Sequence, residues 1–268
     1  MELAISTCYD YSLGFEENLE HISRAGFKTV SLGGHLDHSH YHKPEARPGI
    51  QALVDRLGLR IDSIHAPFGP TTDLTPAEEV LRHSAIVEMK RAVEACKELD
   101  VKILILHLHS YRTDDVSSRM KRARESISEL LDVSSKAGVK LAVENLPGDN
   151  SLIILKFVLD ILDDPMIGLC FDNGHAALSD GAMELLDKYR GRLFALHLHD
   201  NDGRQDLHQL PFEGTCDLPN LAAQLNKVES ICPITVESEV THSEYKTPEA
   251  FLKRAFETAT RFQEMLKS

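Results

Sequence analysis

The sequence predicts a single α/β domain over residues 1–268, built as a (β/α)8 (TIM) barrel. Three observations carry that expectation. Short runs rich in β-formers alternate with longer segments of helical spacing. Most of the short runs are continuously apolar, as in Ile103-Leu104-Ile105-Leu106, the pattern of strands covered on both faces. Eight strand–helix units share 268 residues, about 33 each, close to the usual barrel size of about 250 in total.

The eight strand candidates, in order, are Leu3–Tyr9, Thr29–Gly33, Arg60–His65, Lys102–His107, Lys140–Glu144, Ile167–Asp172, Leu193–His197 and Ile234–Glu237. Helical segments fall between them. Ile86, Met89, Val93 and Cys96 step by three and four, as do Met120, Ala123, Ile127, Leu130, Ser134 and Ala137. Thr75-Pro76-Ala77-Glu78 reads as a capping box, with Thr at the N-cap, Pro at the first helical position and Glu at the third. Thr247-Pro248-Glu249 repeats the Thr-Pro start. Gly26, Gly58 and Gly138 stand where a left-handed residue ends a helix, and a strand follows each of them at once. An open doubly wound sheet fits less well, because no G-x-G-x-x-G follows the first strand.

Lys+Arg 29 against Asp+Glu 42 gives a net charge of −13, a poor match for a passive binder of nucleic acid or anionic membrane. The five cysteines include no C-x-x-C pair, so free thiols in a reducing compartment are expected. Met1–Tyr9 runs directly into strand-like sequence and no stretch approaches eighteen apolar residues. The expectation is a cytoplasmic protein with no leader and no membrane span.

The strand ends carry the chemistry. In a barrel of this kind, reactive groups gather at the C-terminal ends of strands. The third run ends at His65, the fourth at His107, the fifth at Glu144, the sixth at Asp172, the seventh at His197 and the eighth at Glu237. Three carboxylates converging in a partly desolvated barrel mouth would repel one another. A divalent cation removes that conflict. Glu144, Asp172, Glu237 and His197 form a mixed oxygen–nitrogen set suited to Mn²⁺, Zn²⁺, Fe²⁺ or Co²⁺. One histidine at a strand end is more often a hydrogen-bonded core residue than a ligand; the joint pattern is what points to a metal.

Other candidates are weaker. His35, His38, His40 and His42 read as a polar substrate loop or solvated turn, and His21, His83 and His242 as surface residues. Cys8 reads as a buried small hydrophobe rather than a nucleophile. No G-x-S-x-G, H-E-x-x-H or P-loop is present.

With Glu144, Asp172, His197 and Glu237 at the ends of the fifth to eighth strands, and with Asp172-x-x-His175 and His197-Leu198-His199-Asp200, the sequence resembles the xylose isomerase-like superfamily over nearly its whole length. That group includes sugar isomerases, ketose 3-epimerases and endonuclease IV. The resemblance implies one to three divalent ions. Its fullest form is the nine-ligand trinuclear zinc set of endonuclease IV, which maps here to His65, His107, Glu144, Asp172, His175, His197, Asp206, His208 and Glu237. The fourth-strand motif departs from the family's, so His107 or His109 could fill that place, and alignment favours His107.

The stretch from His197 to Gly203, followed by Asp206-x-His208, looks like sugar phosphate isomerase/epimerase relatives. The loops show no dense basic or aromatic insertion suited to DNA. The expected activity is therefore a metal-dependent sugar or sugar-phosphate isomerase or epimerase. Glu144 and Glu237 would move the proton and His175 would hold a substrate hydroxyl. Arg204 and Arg112 would meet a phosphate or distal hydroxyl, and each is equally plausible as an exposed surface charge. The alternative is a phosphodiesterase acting on abasic DNA. The expected partner is a small sugar, with nucleic acid only under the alternative, and self-association as a homo-oligomer is left open.

Overall fold

A computed structural model of the chain describes residues 1–108, 115–228 and 232–266. Eight parallel strands close into a barrel in sequence order. They are β1 (Leu3–Ser6), β2 (Thr29–Leu32), β3 (Arg60–His65), β4 (Ile103–His107), β5 (Lys140–Glu144), β6 (Ile167–Asp172), β7 (Leu193–Leu198) and β8 (Ile234–Val236). β8 pairs with β1 to complete the ring. The helices among the described residues are α1 (Phe15–Ala25), α2 (Leu36–Ser39), α3 (Arg47–Arg56), α4 (Glu79–Glu98), α5 (Val116–Ala137), α6 (Asp149–Ile161), α7 (Asn173–Ala177), α8 (Glu184–Tyr189), α9 (Leu218–Leu225) and α10 (Pro248–Met265). The expected (β/α)8 architecture is the one observed.

Alternation along each strand explains both the core and the site. Leu104, Leu106, Leu141, Val143, Leu169, Phe171 and Leu196 belong to the large apolar layer shared with the helices. Their neighbours Ile105, Ala142, Cys170 and Ala195 face the other way and form a small separate cluster inside the barrel. Two residues further along, the same inward face carries His107, Glu144, Asp172 and His197. The register sets His107 beside Glu144 and Asp172 beside His197. A period of two thus delivers ligand-type residues to one layer at the mouth.

Helix punctuation is mostly as the sequence predicts. Gly26, Gly58 and Gly138 have φ of 104°, 63° and 70°, and Thr247 Oγ1 accepts the amide of Ala250 at 3.3 Å. The capping box at residues 75–78 is not used. α4 begins at Glu79 instead. The Thr75 hydroxyl donates to Asp73 (2.7 Å) and accepts from the buried Arg119 guanidinium (3.0 and 3.2 Å), so it is not free to cap. The first strand is also shorter than expected, giving way to a 3₁₀ turn over Thr7–Asp10. There the Ser6 hydroxyl accepts the Cys8 amide and Thr7 Oγ1 accepts the Gly33 amide, and both draw the chain out of the ladder.

Gly168 on β6 marks a close approach. A Cβ there would overlap the Arg192 carbonyl oxygen and the Phe194 ring. Backbone cannot yield as a flexible side chain can. Gly168→Ala is expected to cost about 1–3 kcal/mol, read as a lower midpoint in thermal unfolding; an unchanged midpoint would contradict the packing described.

Candidate metal centre

The strand ends converge. Glu144 is almost fully buried, with Oε2 2.9 Å from His107 Nε2 and 3.2 Å from His65 Nε2. Its Oε1 lies 3.1 Å from His197 Nδ1 and 3.4 Å from His175 Nδ1. Glu237 Oε2 stands 2.8 Å from the same His197 nitrogen, and Asp172 Oδ2 3.8 Å from it. One donor atom from each of Glu144, Asp172, His197 and Glu237 lies within 4.8 Å of the others. Three further groups meet the same limit: His65, His107 and Glu144; Glu144, Cys170 and His197; and His175, His199, Asp206 and His208. The structure therefore brings together all nine residues named for metal binding, in three adjoining clusters.

Local structure fixes each group. Asp172 caps α7, its Oδ1 accepting the His175 amide at 2.7 Å. The side chain of Asn145 pairs with the main chain of Asp172 through both its oxygen and its nitrogen (2.9 and 2.8 Å). Asn173 repeats the device on the main chain of His199 (3.0 and 2.8 Å), and Asn201 donates to the Gly174 carbonyl. Each strand end is so tied to the next. Sequence reasoning missed these asparagines. The available signal was the recurrence of an acidic residue followed by Asn at positions 144–145 and 200–201, with Asp172-Asn173 between.

The loop after β7 folds back on itself. Asp200 and Gln209 exchange main-chain hydrogen bonds of 2.9 and 2.7 Å. The buried Asp200 carboxylate accepts the amides of Asn201, Cys216 and Phe212. This closure carries Asp206 to 2.9 Å from His175 Nε2 and 3.3 Å from His208 Nε2. His208 Nδ1 donates to the Glu237 carbonyl at 2.6 Å. His208 also holds φ at 45°, a left-handed value uncommon outside glycine, which here aims its ring into the cluster.

Of these groups, His65, His107, Glu144, His175, Asp206, His208 and Glu237 line a cavity of about 510 Å³ at the barrel mouth, with Asp172 and His197 buried outside its lining. Its other walls include Tyr11, Phe68, Leu146, Pro147 and Glu239, which sequence reasoning did not single out. Cys8 is on the wall rather than buried behind it. Burial and the nearby Glu237 carboxylate push its thiol up, so it stays protonated. Arg204 is exposed and outside the lining. Arg112 and His109 lie outside the described residues. Within the His35–His42 segment, expected as a polar substrate loop or solvated turn, Leu36–Ser39 form the short helix α2 and residues 41–42 a turn, and the His38 ring packs against Tyr11 and Phe15 at centroid distances of 5.1 and 5.4 Å. His83 and His242 are exposed as expected. His21 is not, since its side chain is 11% exposed and reaches Glu249 at 3.3 Å.

The donor set fits a divalent ion. Three carboxylates and several imidazoles are buried together, and no Lys or Arg is among the described lining residues. Without an ion, protonated histidines must supply the balancing charge. Burial opposes ionisation of Glu144, yet the imidazoles of His197 and His107 hold its carboxyl well below the usual range. Burial likewise opposes protonation of His197, but the Cys170, Glu237 and Glu144 groups push it well up. For His208, burial is outweighed by the Asp206 hydrogen bond and the Glu237 charge, which push it up to about 10.

A pH dependence follows for the metal-free protein. A histidine raised on folding stabilises fully below its unfolded value and loses that effect as pH rises to its folded value. The His208 contribution is therefore present below 6.5 and lost between 6.5 and about 10. Urea unfolding in chelator should show stability falling across that window, and falling less in His208→Gln. With saturating metal the trend should weaken or reverse, because an ion competes with protons for the same nitrogens.

A barrel with this donor layer defines a class. The family profile described as xylose isomerase-like TIM barrel matches residues 19–260, and the chain belongs to that family. Fructoselysine 3-epimerase of Escherichia coli O157:H7 is 23% identical, covering 99% of this chain and 98% of that protein. A D-tagatose 3-epimerase-like protein has a structure similar at a TM-score of 0.85 and 21% identity, covering 100% of this chain and 98% of that one. The IolI protein, solved with a bound zinc atom, matches at a TM-score of 0.80 and 18% identity, over 100% and 98% of the two chains. At these identities the structural likenesses show the fold.

Proposed function

We propose that the protein is a divalent-metal-dependent isomerase or epimerase of a ketose or ketose phosphate, acting by proton transfer beside the substrate carbonyl. The observation that carries this reading is the placing of Glu144 and Glu237, both within 3.1 Å of His197 Nδ1, at the base of an open cavity. A divalent ion held by Glu144, Asp172, His197 and Glu237 would act as a Lewis acid on adjacent substrate oxygens and acidify the neighbouring C–H. Of these, Glu144 and Glu237 are the groups positioned to take and return the proton. His175, buried against Asp206 and Glu144, is placed to hold a substrate hydroxyl. Tyr11, Phe68 and Leu146 give the cavity an apolar wall for the sugar's carbon face. Relatives matched over 99% and 72% of the chain are named as 3-epimerases, which supports the same class. The free cysteines suit a reducing, cytoplasmic setting.

One observation favours a second reading, hydrolysis of a phosphodiester in abasic DNA. The three adjoining donor clusters have the composition of a three-ion site. The epimerase reading is preferred because the named relatives are epimerases and the described cavity walls offer no Lys or Arg to DNA phosphates. The deciding experiment loads chelated protein with Mn²⁺, Zn²⁺ or Co²⁺ and incubates it in D₂O with a panel of ketoses and ketose phosphates. Metal-dependent deuterium incorporation is expected. Incision of abasic DNA, with no deuterium entering any sugar and three ions per chain, would reverse the preference.

A further inference from the structure

His199 is fully buried, does not line the cavity and has no part in the proton transfer described above. Its Nε2 lies 2.9 and 3.0 Å from the two oxygens of Asp172. A carboxylate only accepts, so the proton of this contact sits on the histidine nitrogen. The ring is clamped on both sides. One face stacks on His208, with centroids 4.0 Å apart and planes 7° from parallel. On another side the ring fills the space where a Cβ of residue 174 would stand, space that exists because residue 174 is glycine. Asn173 fixes the main chain of His199 at both its amide and its carbonyl.

Asp172 is thereby constrained. Oδ1 receives the His175 amide and Oδ2 is the oxygen nearer His197. We infer that His199 is a positioning residue. It holds the Asp172 carboxylate in the orientation that presents it to Glu144, His197 and Glu237, and Gly174 is required to admit its ring. The inference rests on the metal-binding part of the function proposed above. It adds a partner behind a carboxylate ligand, where loss of such a partner typically weakens ion binding about 10–100-fold.

The test reads ion affinity rather than turnover. Native protein and His199→Leu, His199→Gln and Gly174→Ala are titrated with Zn²⁺ and Mn²⁺ against a chelating indicator, after far-UV circular dichroism and thermal melts in chelator confirm folding. Leucine fills the site without donating, and Gly174→Ala displaces the ring; each is expected to weaken binding about 10-fold or more. Glutamine places an N–H near the position of Nε2 and is expected to restore most of the affinity. A folded His199→Leu protein that binds both ions within about twofold of native would overturn the inference, whatever the catalytic result, because outer partners usually contribute more than that. Failure of native protein to bind either ion would overturn the metal reading itself, and the inference with it. Should the leucine variant not fold, ring-¹⁵N NMR of the zinc-loaded native protein decides. A protonated His199 Nε2 supports the role and a bare one rejects it.

Discussion

Glu237→Gln is expected to reduce proton exchange into the substrate by about a thousandfold, within the usual worth of a general base, while leaving the metal-free fold intact. Glu237 sits just past β8, with its amide still donating to the Leu198 carbonyl at 3.1 Å, so the ladder fixes its position independently of its side chain. Burial raises its carboxyl, but the His197 charge and hydrogen bond bring it below the ordinary value, and it is ionised at neutral pH. The carboxamide keeps the volume and one acceptor oxygen but cannot take a proton. It also removes one negative charge from the donor set, so ion binding should weaken as well. The two effects separate when exchange is measured at saturating metal. Activity within about tenfold of native under that condition would remove Glu237 from the proton-transfer role.

The second large effect is expected at a residue that touches neither ion nor sugar. Asp200→Ala deletes a buried carboxylate that accepts three main-chain amides: Asn201 at 2.9 Å, Cys216 at 2.9 Å and Phe212 at 3.1 Å. Hydrogen bonds to a charged group are worth about 1.5–3 kcal/mol each, and stranded buried donors carry their own cost. A loss of about 4 kcal/mol or more is expected, equivalent to a midpoint lower by roughly 8–16 °C for a chain of this size. The loop it organises carries Asp206 and His208, so binding at the His175 cluster should fall in parallel. Asp200→Asn keeps an acceptor and should be intermediate. A midpoint unchanged in Asp200→Ala would mean the loop is held by other contacts, such as the main-chain pairing of Asp200 with Gln209.

Both predictions depend on features with very different visibility in the amino-acid sequence. The barrel was legible because its signals are local and repeated. Apolar runs, Gly at helix ends and Thr-Pro starts each follow from the φ/ψ and hydrogen-bonding habits of a few residues, and eight repeats leave little choice of architecture. The ligand-type residues were legible for a related reason. Strand ends in a parallel barrel all reach one layer, so His65, His107, Glu144, Asp172, His197 and Glu237 could be expected together before any distance was known.

What only the tertiary structure decided is which groups hold those residues still. Nothing local marks His199 as the partner of Asp172, because the contact joins the residue after β7 to the end of β6 and depends on the missing Cβ of Gly174. The Thr75 capping box fails for the same kind of reason: its hydroxyl is taken by Asp73 and by Arg119, 44 residues away. Cap and turn propensities are worth about 1 kcal/mol, and a buried guanidinium that must find acceptors outweighs them. Sequence by itself determined the barrel and the chemical character of its mouth. Long-range hydrogen bonding between neighbouring strand ends decided the orientation of each donor, since that depends on which side chains the closed barrel brings within about 3 Å of one another.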